Sequence, residues 1–196
     1  NANGNNALLR NTVGSYNSAQ GTDALYNNVD GNHNTANGYR ALYSTKLDSF
    51  SGGNNTANGS QALFRNSYGS NNTANGYLAL SNNTTADNNT ANGTYALRYN
   101  TTGGGNTANG IGALMNNTTA SFNTANGNTA LNRNTTGSYN TANGNNALFN
   151  NTTGSNNTGI GYGADVSLKN FSNATAIGNR ARVTSSNRVR IGNTSV

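Results

Sequence analysis

The sequence predicts an all-β chain, a β-solenoid (parallel β-roll) of about eleven 17-residue coils. A fixed short period, a composition hostile to helices and a fixed placement of small and apolar residues predict it. The phrase Asn123-Thr124-Ala125-Asn126-Gly127 returns as Asn140-Thr141-Ala142-Asn143-Gly144. Its marker glycines fall at Gly4, Gly21, Gly38, Gly59, Gly76, Gly93, Gly110, Gly127, Gly144, Gly161 and Gly178, each 17 residues after the last except for one step of 21 between Gly38 and Gly59. Such self-similarity means stacked identical units. Seventeen residues are too few for a helix-turn-helix repeat, and Gly, Asn and Thr are poor helix formers.

Within each copy, two short candidate strands alternate with glycine punctuation. The first is Asn-Thr-Ala-Asn before the marker Gly, and the second centres on Ala-Leu. The Asn-Thr-Thr-Gly-Ser stretch turns the chain back. Ala stands three places after every marker, from Ala7 to Ala181, and Leu follows it in nine successive coils, from Leu8 to Leu148. Small Ala inside a thin coil with a Leu stack in one corner is the simplest packing. Adjacent strand residues face opposite ways, however, so the sequence leaves open whether Ala or Leu points inward. The two places after the marker vary freely (Tyr39-Arg40, Asn145-Asn146) and are expected to face water. Residues 1–164 form the regular repeats, with a four-residue insertion near 43–53, and residues 165–196 form C-terminal coils leading toward a further segment. The chain begins and ends mid-pattern, which reads as a piece of something longer.

Asn accounts for 46 of 196 residues, and Leu, Ile, Val and Phe together for 28, a level poor for a globular core. Disorder is the first thought, but only 8% of residues are charged and the register holds throughout. One coil cannot stand alone: ordering its 17 residues costs on the order of 25 kcal/mol, and one Leu returns about 2 kcal/mol. Backbone ladders, stacked Asn amides and neighbouring coils or chains must supply the balance.

Net charge is +6, with no Glu and five Asp. Arg180, Arg182, Arg188 and Arg190 cluster, but the other cations are scattered. No basic stripe with aromatic platforms points to nucleic acid, and solvated surface charge is the plainer reading. No apolar run approaches a membrane span, so direct membrane insertion is not expected. The absence of Cys removes disulfide and thiolate chemistry.

Asn157-Thr158-Gly159-Ile160-Gly161-Tyr162-Gly163-Ala164 and Ala174-Thr175-Ala176-Ile177-Gly178-Asn179-Arg180-Ala181 resemble the head repeats of trimeric autotransporter adhesins and related phage and bacterial fibre proteins. The tail from Asn187 to Val196 is similar to the stretch that leads toward a trimerising segment in such fibres. The resemblance spans essentially the full chain. It implies a left-handed parallel β-roll packed as a homotrimer, on an extracellular or cell-surface fibre. One departure matters. The family places Ile before the marker Gly as an inter-chain apolar contact, and here only Ile160 and Ile177 remain. Upstream, Asn takes that place and shares a face with the Thr two residues earlier. The resulting Thr-x-Asn ladder comprises Thr35 and Asn37, Thr56 and Asn58, Thr73 and Asn75, Thr90 and Asn92, Thr107 and Asn109, Thr124 and Asn126, and Thr141 and Asn143.

Two functions of different class follow. A non-enzymatic fibre or adhesin head segment would supply reach and multivalent display toward a host surface or glycan. Lys46, Asp48 and Phe50 in the inserted loop are candidate contacts, although a tolerated bulge is the plainer reading. If the chain is monomeric, the Thr-x-Asn ladder is a flat, uncharged array like the ice faces of some antifreeze solenoids. An enzyme is not expected: the acids lie on separate coils and His33 is the single histidine, aligned with Tyr16, Phe122 and Tyr139. Gly103-Gly104-Gly105 lacks the Lys-Ser/Thr of a phosphate loop. No cofactor or metal is implied.

Overall fold

The computed structural model describes residues 1–44 and 52–193, and among them there is no helix. The marker phrase forms one short strand per coil: β1 (Ala2–Asn3), β2 (Ser18–Gln20), β3 (Thr35–Asn37), β4 (Thr56–Asn58), β5 (Thr73–Asn75), β6 (Thr90–Asn92), β7 (Thr107–Asn109), β8 (Thr124–Asn126), β9 (Thr141–Asn143) and β10 (Thr158–Ile160). Two more, β12 (Thr175–Ile177) and β14 (Val189–Ile191), complete a twelve-stranded parallel sheet in chain order. The register is strict. Thr73 pairs with Thr90, Ala74 with Ala91 and Asn75 with Asn92, and even the 21-residue step keeps Thr35 opposite Thr56. The final rung arrives early, with Thr175 opposite Val189, fourteen residues on. That shortened coil lies outside the 17-residue period and was not expected.

The second candidate strand is not one in the regular coils. From Leu25 to Leu148 the Leu adopts φ of 49–51°, a left-handed conformation that turns the chain. The turn resolves the question of facing. Alternation fails there, so Ala96 and Leu97, although adjacent, are both fully buried, as are Ala113 and Leu114. Coil-to-coil bonds such as Leu97 N–H to the Ala113 carbonyl, 3.0 Å, compensate for that backbone geometry. Leu thus fills an internal corner and offers no apolar surface to other chains. Among the described residues a true second strand forms only where Leu is replaced: β11 (Asp165–Val166) pairs with β13 (Arg182–Val183).

On the sheet, the central Ala of each strand points inward and is fully buried from Ala57 to Ala142. Gly159 replaces it in the tenth coil, where a Cβ would stand 2.7 Å from Leu148 Cγ. The marker Gly is required for a second reason. Gly76 has φ of 134°, and a Cβ there would stand 2.7 Å from the Gly93 backbone of the next coil.

Rows of Asn amides share the interior with the Ala and Leu stacks. One row of buried Asn, from Asn17 to Asn157, opens each strand. Each Oδ1 accepts the backbone N–H one coil on, as Asn55 does from Asn72 at 3.0 Å and Asn106 from Asn123 at 3.0 Å. A second row runs through Asn66, Asn83, Asn100, Asn117, Asn134 and Asn151. There each Nδ2 reaches the Oδ1 one coil back, at 2.7–3.1 Å. Because these amides are satisfied on both sides, they stabilise a core too thin for larger apolar residues.

Candidate functional site

The outer face of the twelve-stranded sheet carries the Thr-x-Asn ladder. Strand alternation with Ala inward sends Thr and Asn outward, and all fourteen ladder residues, from Thr35 to Asn143, are exposed or half-buried. No charged side chain sits in the strands from β2 to β10. The amides are not independent. Asn58, Asn75, Asn92, Asn109 and Asn126 form a continuous chain, each Nδ2 donating to the next Oδ1 at 2.7–2.9 Å. Each inner member of that chain keeps one N–H and one carbonyl lone pair for an external partner. Coils about 4.8 Å apart give the Thr hydroxyls the same repeat.

Toward the C-terminus the face turns apolar. Ile160 is opposite Ile177, and Ile177 is opposite Ile191, in one register. Ile160 is 41% exposed, Ile191 77% and Val189 69%. By spacing, the sequence places Ile160 and Ile177 in this row and leaves Val189 and Ile191 to the fibre-like tail, because the shortened last coil breaks the period that would align them.

Lys46, Asp48 and Phe50 lie outside the described residues. His33 stacks on Tyr16 with centroids 4.8 Å apart and planes 9° apart, an exposed turn position that continues an aromatic row. In Gly103-Gly104-Gly105 two amides are used between coils: Gly104 N–H donates to Ser121 Oγ at 3.0 Å and Gly105 N–H to the Asp87 carbonyl at 3.1 Å. No group of three or more His, Asp or Glu that could hold a metal occurs among the described residues, and no helix there is long and apolar enough to cross a membrane.

In the sequence Asp165 stands out only as one of five scattered acids, although it occupies the place that Leu holds in nine successive coils. Its carboxylate accepts from the Asn150 backbone at 3.1 Å, from Asn150 Nδ2 at 2.8 Å and from the Val166 backbone at 2.8 Å. Burial pushes the carboxyl up from the ordinary 3.8 to about 6, against those hydrogen bonds and the nearby Arg182 charge.

Comparison with protein-family models, curated proteins and solved structures gives no match for this chain. The class defined by the fold is therefore the β-solenoid with an amide core.

Proposed function

We propose that this chain is a non-enzymatic segment of an extracellular or cell-surface fibre, an adhesin-head-like rod that associates with copies of itself, as a homotrimer, through the Thr-x-Asn face. The observation that carries this reading is the in-register Ile160–Ile177–Ile191 row on the same face as the polar ladder, with Ile160 and Ile191 exposed and Ile177 half-buried between them. An apolar strip continuing an uncharged polar ladder suits a contact surface. Upstream, the spare amide valences of Asn75, Asn92 and Asn109 suit hydrogen bonds across to a partner ladder, so the face can be covered along its length. Association would also multiply each surface site, raising avidity toward a host surface or glycan without new chemistry.

Sedimentation equilibrium of the wild type beside Ile160→Asn/Ile177→Asn tests this. The wild type should sediment as three chains and the variant should dissociate at higher concentration with its far-ultraviolet spectrum unchanged. Equal masses for both proteins would refute the assigned contact.

A second reading has its own observation: among the described residues the hydroxyls of Thr73, Thr90, Thr107 and Thr124 make no hydrogen bond to protein, on a flat uncharged sheet. As a monomer, such an array would serve as an ice-binding face. Thermal hysteresis abolished by Thr90→Lys would support that reading, and its absence in a monomeric preparation would end it.

A further inference from the structure

Away from the sheet, a groove runs along the rod. Arg133 follows Asn126 by seven residues and Thr135 precedes Thr141 by six, so the groove lies half a coil from the Thr-x-Asn face. Two stretches join at Asn116 and Thr135. One of about 540 Å³ holds Arg65 and Tyr99, and the other, of about 620 Å³, holds Arg133, Lys169 and Arg182. In the chain, the fully buried Asn83, Asn100 and Asn117 each fall between a residue of one lining row and a residue of the other. Thr84, Thr101 and Thr118 each donate their hydroxyl to the next coil at 2.9–3.1 Å, which fixes their oxygens as acceptors along the wall.

The groove is cationic, lined by Arg65, Arg133, Lys169 and Arg182, and of these Arg182 lies near the Asp165 carboxylate. Among the described residues no carboxylate lines it; Asp165 belongs to an adjoining recess shared with Arg180 and Arg182. Among the described residues the ion pair is Arg40 with Asp23, on another part of the coil. Arg133 is held in place, its guanidinium 4.5 Å over the Phe149 ring and 3.4 Å from Asn150 Oδ1.

We infer that this groove binds an extended acidic polysaccharide, with the carboxylates of a linear chain on Arg65, Arg133 and Lys169. The neighbouring hydroxyls of that chain would meet the Thr and Asn walls, and one sugar ring would lie against Tyr99. Coils about 4.8 Å apart put Arg65 about 19 Å from Arg133 along the rod, and Lys169 about 10 Å further. That sparse spacing suits a polymer with intermittent charge. It suits a nucleic acid poorly, since that backbone carries charge at every step and wants repeated aromatic platforms where this groove has one tyrosine. The inference gives the fibre reading a ligand class but rests on the groove alone, which a single chain carries as well.

The test is titration of the intact chain with linear polygalacturonate, neutral dextran and a single-stranded oligothymidylate of matching length, at low and moderate salt. Arg65→Gln/Lys169→Gln should weaken polygalacturonate binding about tenfold, and Arg40→Gln/Arg188→Gln, which removes the same number of cations elsewhere, by less than about twofold. Dextran should not bind, and oligothymidylate should bind more weakly than polygalacturonate. Equal loss in both variants, tighter binding of oligothymidylate, or no polygalacturonate binding at low salt would each overturn the proposal. The mass of every protein is measured alongside: loss of association with polysaccharide binding intact counts against the fibre reading and not against the groove.

Discussion

Asn117 Nδ2 donates to Asn100 Oδ1 one coil back at 2.8 Å and to the Ala120 carbonyl of its own turn at 2.9 Å. A single fully buried amide therefore closes a turn and joins two coils. Asn117→Ala should remove both bonds, together with the one Asn117 Oδ1 accepts from Asn134 Nδ2 at 3.0 Å, and strand the Asn100 oxygen, at a cost of about 2–3 kcal/mol. Asn128→Ala, at an exposed place, should change stability by less than about 0.5 kcal/mol. Thermal unfolding of the two variants checks the contrast.

Gly93 has φ of 135°, and a Cβ there would stand 2.6 Å from the Gly110 carbonyl oxygen. Both the strained dihedral and the clash are backbone features that no side-chain rotation relieves. Gly93→Ala should cost about 3 kcal/mol or more. Gly104→Ala meets its nearest atom, the Asp87 carbonyl oxygen, at 3.1 Å and should be tolerated far better. Denaturant midpoints measured side by side would expose an error if the two variants matched.

Leu97 is fully buried beside Ala96, so Leu97→Asn strikes the coil interior and not a chain–chain surface. We expect a loss of about 3 kcal/mol with the particle mass at low temperature unchanged. Dissociation into well-folded single chains would mean that Leu97 faces a partner.

Asp165 sets a pH dependence at the C-terminal end. Its folded pKa of about 6 lies above the ordinary 3.8, so the folded state binds the proton more tightly than the unfolded state. The associated stability is full below the ordinary value and is lost as pH rises through about 6; it amounts to on the order of 2–3 kcal/mol. A solenoid opens locally, so the readout is amide exchange at Asn150 and Val166, corrected for intrinsic rates, which should be better protected at pH 4 than at pH 7. Asp165→Asn should flatten that profile.

The coil, its period and its outward ladder were legible because one residue per place repeats: Ala91 and Ala108 inward, Thr90 and Asn92 outward. What misled was the Ala96-Leu97 pair. Two apolar neighbours read as strand, yet both enter the core because Leu97 takes a left-handed dihedral, and side-chain type alone does not announce that. The amide rows were foreseen as stacking in general. Their division into inner rows at Asn106 and Asn117 and an outer row at Asn109 depends on backbone direction, which the sequence does not print. The groove escaped notice because its charges, Arg65, Arg133 and Lys169, are spaced by several coils. They look scattered along the chain and come into line only when the coils stack.

Self-association through the Thr-x-Asn face is the central claim, and the absence of Cys makes it directly measurable. A nitroxide attached at Asn92→Cys reports on that face, and one attached at Thr119→Cys reports on the groove side. Pulsed dipolar spectroscopy should give an inter-chain distance on the order of 15 Å for the first label, as the close spacing of packed sheets requires, and a clearly longer one for the second. No dipolar coupling from the Asn92→Cys label, or a shorter distance from the groove-side label, would contradict it.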